Sequence, residues 1–372
     1  MRVTQPAVLV GPYDWDEAVI PRSEFEGRIK EAWAAVKGEK FAGIIVNGNK
    51  MDNGALAFLT NFTPKIEAGY ALVSPDGAVR LHSAGSPHMM VNAQRLTWVD
   101  AVKPIRDIGK HIAEWAETLG EGPLGLWATP TMPGDLLPRI QAALPSRPIK
   151  DVSATLDALM RPKSAVAKRV ARDAAAILTK GTAALRQSFE NNVSARESVV
   201  AAEKAAAAAG ASDIRMLASI SKGGTPTAID YPEGGKFDPL LVYMAVRYGG
   251  YWADGVLTLS SVPGDTVKNT QAALQAMLAT ARAGVSVSDL KKAAQERLGG
   301  LAVHPAAKRA VTGVGLTLEE TEAEPTGVSR LEEGRIYSLR AGAQKGEGDA
   351  ALFSALVEVK AGGVDILWSS LT

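Results

Sequence analysis

The sequence predicts an α+β protein of two domains, an N-terminal three-layer α/β domain over residues 1–155 and a second domain over residues 156–372. Three observations predict it. Short apolar runs alternate with helix-period segments through the first domain, the pattern of a sheet covered by helices. At residues 146–163 the texture changes into long alanine-rich helical stretches. Residues 243–258, Tyr-Met-Ala-Val-Arg-Tyr-Gly-Gly-Tyr-Trp-Ala-Asp-Gly-Val-Leu-Thr, then read as a β-hairpin. Gly249-Gly250 supplies the positive φ angles that a two-residue hairpin turn needs. At 372 residues the chain is long enough for each domain to bury its own core.

The elements follow in order. Ser23-Glu24-Phe25-Glu26 has the spacing of a capping box and predicts a helix to about Val36. Residues 41–46 form an apolar run expected to be a buried strand, and residues 70–82, broken by Pro75-Asp76-Gly77, predict a hairpin. A helix near 105–119, a strand at 124–128 and a helix near 134–143 complete the first domain, and 146–163 is expected to be a connection. Beyond it, 164–190 predicts a long helix, and Ser194 with Glu197 forms a second capping box for a helix to about Ala209. Helices are expected at 267–283 and 288–298, and strands near 240–247, 251–259, 310–318, 336–340, 352–359 and 364–371.

Composition excludes several classes. Lys and Arg total 41 against 40 Asp and Glu, for a net charge of +1 with no basic block, so no nucleic-acid partner is expected. There are no cysteines, which removes disulfides, thiolate metal sites and cysteine nucleophiles. No uncharged apolar run approaches ~18 residues, so no membrane partner is expected either. The N-terminus has charges where a signal peptide needs an apolar stretch, which suits a cytoplasmic protein. Of four histidines, His82, His88 and His111 lie in the first third, and only His304 lies beyond, in a His-Pro loop expected at the surface. A site built from the last two-thirds therefore has at most one imidazole from its own segment, a poor basis for a transition-metal site or a histidine triad.

Four short signatures, in this order, resemble the pita-bread family of creatinase, prolidase, aminopeptidase P and methionine aminopeptidase. They are Arg161-Pro-Lys163, Gly249-Gly-Tyr-Trp-Ala-Asp254, Gly313-Val-Gly-Leu316 and Leu331-Glu-Glu-Gly334 followed by Ile336-Tyr-Ser-Leu. The resemblance covers nearly the whole chain. It implies a C-terminal pita-bread (creatinase/aminopeptidase-like) domain preceded by a creatinase-type N-terminal α/β domain. The family's two-metal site uses two Asp, one His and two Glu. On this sequence those places fall on Tyr243, Asp254, Thr312, Arg340 and, within about a residue, Ser354. The outer catalytic His falls on Glu319, and the substrate-side His on Asp230. One ligand of five survives, and a guanidinium, which cannot ligate a cation, stands where a carboxylate should be. No metal and no other cofactor is expected.

The period of two places Ile336, Ser338 and Arg340 on one strand face. Arg340 then either pairs with Asp254 to fill a dead site or stands in for the metal charge and binds a carboxylate or developing oxyanion. Asp254, Arg340, Glu319 and Asp230 are the candidate catalytic residues. In a strand, Glu319 and Glu320 face opposite ways, and Glu319 is the favoured inward one. Tyr243, Tyr251, Trp252, Thr312, Glu320 and Ser354 are candidates for substrate binding. His88 joins them because in dimeric relatives the accessory domain leans toward the neighbour's site. The expected function is metal-independent chemistry on a small carboxylate-bearing or aromatic molecule, C–N hydrolysis first. A lyase or other acid/base reaction, and a non-catalytic binding protein, stay open beside it. A homodimer is the expected assembly.

Overall fold

The computed structural model describes residues 14–128, 132–219, 224–228, 235–320, 328–346 and 348–371. The chain divides into two compact units, one ending at Arg161 and the other beginning at Pro162.

The first unit holds helices α1 (Arg22–Val36), α2 (Gly54–Thr60), α3 (Met90–Gln94), α4 (Ile108–Ala116), α5 (Leu136–Ala143) and α6 (Ser153–Met160). Its strands are β1 (Gly43–Asn49), β2 (Ala68–Val73), β3 (Val79–Ser83), β4 (Val102–Pro104), β5 (Leu124–Trp127) and β6 (Ile149–Asp151). They form one sheet in the order β4-β3-β2-β1-β5-β6. Alternation along β1 builds three layers: Ile45 packs with Ile112 and Trp115 of α4 and Ile140 of α5, while Gly48 backs onto Leu56 of α2.

Two expectations need correction here. The Ser23 box does not form: α1 starts at Arg22 with Pro21 as its N-cap. Glu26 pairs with Arg22 and Glu24 with Arg28, so neither carboxylate turns back to the helix start. The supposed connection at 146–163 contains β6 and α6. Ile149 extends the sheet beside Leu124, and Asp157 of α6 accepts a 2.8 Å hydrogen bond from Trp127 Nε1. The first unit therefore runs past residue 155 to Arg161.

The second unit holds helices α7 (Ala165–Glu190), α8 (Ala195–Ala208), α9 (Asp265–Thr280) and α10 (Val287–Arg297). Its strands are β7 (Asp213–Ala218), β8 (Leu240–Tyr248), β9 (Tyr251–Leu259), β10 (Ala302–Val303), β11 (Val311–Gly313), β12 (Ile336–Gln344), β13 (Ala350–Lys360) and β14 (Gly363–Ser369). One sheet is β7-β8-β9, and the other is β10-β12-β13-β14 with β11 also paired to β12. The alanine runs are helix-packing surfaces: Ala171, Ala174, Ala175, Ala202 and Ala206 are all buried in the core under the first sheet. α8 opens on the expected Ser194–Glu197 capping box. The hairpin turns as predicted, with φ of 52° at Gly249 and 83° at Gly250 and Tyr248 opposite Tyr251.

The two sheets meet along a seam of side chain to backbone bonds. Ser354 Oγ of β13 accepts from Val256 N of β9 at 2.7 Å. Thr258 Oγ1 donates to Leu352 O at 3.0 Å and accepts from Leu352 N at 2.8 Å. This seam fixes the angle at which β9 faces β12 and β13, and so fixes the site.

Candidate functional site

Alternation puts Trp252, Asp254, Val256 and Thr258 on one face of β9. On β12, Ser338 and Arg340 share a face, and Arg340 stands opposite Ser354 of β13 in register. Where these faces meet, Leu217, Tyr243, Val256, Leu318, Arg340 and Leu352 line a cavity of about 410 Å³, with Glu319 at its edge. A larger cavity of about 730 Å³, walled by Arg186, Phe189, Lys236 and Phe237, contains none of the sequence-predicted residues.

The core of the site is an ion pair. Arg340 Nη2 donates to Asp254 Oδ2; the carboxylate is wholly buried and the guanidinium side chain is 15% exposed. The guanidinium also lies over the Tyr243 ring, 5.9 Å from its centroid. Burial and then the Asp254 charge push the Tyr243 hydroxyl far above its usual range, so it stays protonated and can donate. Burial alone would lower Arg340, but Asp254 and Tyr243 outweigh it and hold the guanidinium above its ordinary value. The pair is monodentate. Arg340 Nε and Asp254 Oδ1 are buried with no hydrogen-bond partner among the described residues, and so are Thr312 Oγ1 and Ser338 Oγ. Thr312 and Ser338 are cross-strand neighbours, and Ser338 lies two residues from Arg340. Leaving a buried polar group unpaired costs about 1–3 kcal/mol. Of these four residues only Arg340 lines the cavity; Asp254, Thr312 and Ser338 are buried.

The other predicted residues divide. Ser354 is buried, but its hydroxyl is consumed by Val256 in the seam, so it holds strands together rather than facing a ligand. Tyr251 and Trp252 are buried, 2% and 4% exposed, and neither lines the cavity. Trp252 packs in the core with guanidinium groups of Arg215 and Arg247 against its ring. Glu319 is the one of the two acids that lines the cavity, but not for the reason of strand alternation. β11 ends at Gly313 and the chain loops back, with Glu320 N donating to Gly313 O at 3.0 Å, so strand alternation does not apply. Glu320 turns inward and ion-pairs with Lys163 and Arg335, away from the cavity. Glu319 stays 57% exposed and pairs with Arg309. His88 sits in a short 3₁₀ turn of the first unit, 3.1 Å from Ser86 Oγ. Asp230 lies outside the described residues. His304, expected at the surface, is 2% exposed, and its Nδ1 accepts from Ala306 N at 3.2 Å.

The family's dinuclear metal centre does not fit this donor set. Among the described residues no three His, Asp or Glu side chains come together as a metal site. The Asp254 carboxylate is already paired with a guanidinium. A divalent ion about 4 Å from that guanidinium would be repelled by several kcal/mol at an effective dielectric of ~20.

The four signatures turn out to hold one another. Trp252 N donates to Gly315 O at 2.7 Å, and Lys163 N reaches Gly334 O at 3.4 Å. A Cβ on Gly315 would come within 2.2 Å of Glu320 Oε1 and 3.0 Å of Lys163 Nζ, so a side chain there would displace that ion pair from its present place. Arg335, directly after the fourth signature, completes it.

Comparison with known proteins agrees with this architecture. The model of metallopeptidase family M24 matches residues 169–364. Similar solved structures include a prolidase from Pyrococcus horikoshii OT3, with 14% identity, TM-score 0.72 and coverage of 92% of this chain and 97% of that one. An X-Pro aminopeptidase from Thermotoga maritima MSB8 has 17% identity, TM-score 0.73 and coverage of 91% and 97%. A dipeptidase, PepE, from Mycobacterium ulcerans has 19% identity, TM-score 0.69 and coverage of 95% and 97%. At these identities the structures show the fold: a pita-bread domain preceded by an α/β domain. No curated protein matches the chain by sequence.

Proposed function

The chain belongs to metallopeptidase family M24, and from that membership we propose that it works in the family's pocket without the dinuclear metal centre. The proposed reaction is hydrolysis of a C–N bond in a small carboxylate-bearing or aromatic molecule. The observation that supports this reading is the buried Arg340–Asp254 pair, with its unpartnered Nε and Oδ1, at positions the family resemblance assigns to metal ligands. Arg340 Nε and the Tyr243 hydroxyl donate to the carbonyl oxygen, where negative charge develops. Water adds to the carbonyl carbon as its proton passes to Asp254 Oδ1. The same proton goes to nitrogen as the C–N bond breaks, so Asp254 ends unchanged. Apolar walls at Leu217, Val256 and Leu352 suit an aromatic or aliphatic body.

The test is turnover of a panel of N-acyl amino acids and dipeptides by chelator-treated protein of measured metal content. We expect chelation to leave the rate unchanged and Asp254→Asn to lower kcat by about 100-fold or more. Loss of activity on chelation with recovery on adding Mn, Co or Zn would overturn the proposal. A second reading, a non-catalytic binding protein, is favoured by the closed state of the pair and by Glu319 being occupied by Arg309. It predicts saturable binding of the same compounds with no product.

A further inference from the structure

We propose that His82 and His111 form a proton-operated latch within the first unit: their stacked rings hold helix α4 on the sheet while His82 is neutral, and a proton on His82 releases it. Position comes first. Cross-strand partners share a face, so Asn47, Tyr70, His82 and Lys103 form one row across β1, β2, β3 and β4. Tyr70 packs in the core with Ile112 and Trp115 of α4, so the row faces that helix. His111 of α4 closes over it, its ring stacked on His82 at a centroid distance of 4.6 Å and an interplanar angle of 30°. His82 is 4% exposed. His82 Nδ1 and His111 Nε2 are both buried with no hydrogen-bond partner among the described residues. The contact is thus one of ring faces, and a proton arriving at His82 Nδ1 finds no acceptor there.

The charges that act on His82 all oppose that proton. Burial first, then His111 of α4, Lys103 of β4 and Arg80 of β3, push the imidazole down from 6.5 to about 4. No carboxylate offsets them. The acids of the neighbouring elements serve other groups. Glu114 of α4 lies 3.9 Å from His111 Nδ1 and 3.9 Å from Lys110 Nζ. Asp107 caps α4 by accepting from Lys110 N. From α5, Arg139 and Asp135 act on Tyr70, as does Glu67, and burial foremost raises the Tyr70 hydroxyl so that it brings no charge to the row. Arg80 Nη2 reaches Thr118 Oγ1 at 3.4 Å, just beyond α4.

The direction of the response follows. With α4 lifted, His82 meets water and titrates at its ordinary 6.5, whereas beneath α4 it stays neutral to about 4. The open form therefore takes up the proton first. Closure is full above about pH 6.5 and weakens as pH falls from there toward 4. What opens is the cover over Trp115, which is wholly buried with its Nε1 donating to Ser74 Oγ at 3.0 Å. The latch lies within the first unit and does not depend on the reaction proposed for the second.

The test is amide hydrogen exchange of the full-length chain at about pH 7.5 and about pH 5, read by mass spectrometry and corrected for the intrinsic pH dependence of exchange. Wild type should lose about ten-fold or more of its protection in α4 at the lower pH. His82→Phe keeps a ring in the stack and removes the titration, so its protection should change less than about two-fold over the same interval. His82→Gln makes the same comparison without a ring, and because the ratio between the two pH values is read, an absolute loss of packing does not enter. An undiminished pH ratio in either folded variant overturns the proposal, as does wild-type α4 that stays equally protected at both pH values. A loss of equal size in α7 and α9 of the second unit also overturns it, since that is acid unfolding of the chain at large.

Discussion

Among the described residues Arg340 is the cation that ion-pairs with the buried Asp254, so their energetics should be strongly non-additive. Arg340→Met leaves a wholly buried carboxylate without its partner, which typically costs about 3–5 kcal/mol. Adding Asp254→Leu removes the stranded charge and should recover most of that loss in urea unfolding. A single-variant loss below about 1 kcal/mol would show that Asp254 is not held as an ion. This pair was anticipated because the family resemblance sets Arg340 and Asp254 in one site, the strand period of two adding only that Ile336, Ser338 and Arg340 share a face of β12. The surroundings of Glu319 and Glu320 were not. The expectation assumed a strand through 318, whereas β11 stops at Gly313 and the loop after it leaves Glu319 exposed at the cavity while Glu320 is buried in ion pairs. The signal missed was Gly315, whose bare Cα makes room for the Lys163–Glu320 pair.

At the level of elements, two stretches carried the same capping-box spacing and only one became a cap. Ser194 Oγ accepts from Glu197 N at 3.2 Å while Glu197 returns to Ser194 N at 3.0 Å. Ser23 lies inside α1, past its Pro21 cap. Ser194→Ala should therefore destabilise the protein by about 1 kcal/mol, and Ser23→Ala by less than about 0.5 kcal/mol, read from urea midpoints. Equal losses would mean that both caps form in solution. Spacing cannot distinguish them, because the outcome depends on whether a competing cation lies nearby, as Arg22 does for Glu26. The most consequential element missed in the sequence was β7. Its Asp-Ile-Arg-Met-Leu-Ala run alternates as a half-buried strand should, with Ile214 and Met216 packing on the core. Arg215 and Leu217 belong to the other face, so missing β7 meant missing the strand that brings Leu217 to the cavity.

For the whole molecule, each unit has a core of its own: one around Ile45, Leu72 and Trp115, and others around Leu178, Val246 and Leu257 and around Leu274, Leu339 and Phe353. Residues 162–372 expressed alone should therefore unfold in a single cooperative urea transition with native near-ultraviolet circular dichroism. A non-cooperative melt would show that this unit depends on the first. The fold was readable because the four signatures are contact points of one framework, and a framework constrains sequence more tightly than the pocket it surrounds. The pocket was only partly readable, since its chemistry depends on which charges meet across strands far apart in the chain. The Arg340–Asp254 pair carries a further consequence. In a site whose countercharge is a dissolved ion, occupancy follows that ion's supply. Here the countercharge is part of the polypeptide, so the balance is set when the chain is made and is the same in every folded copy. What can still vary around the cavity is ionic strength, which screens the exposed Glu319–Arg309 pair and leaves the buried pair nearly untouched.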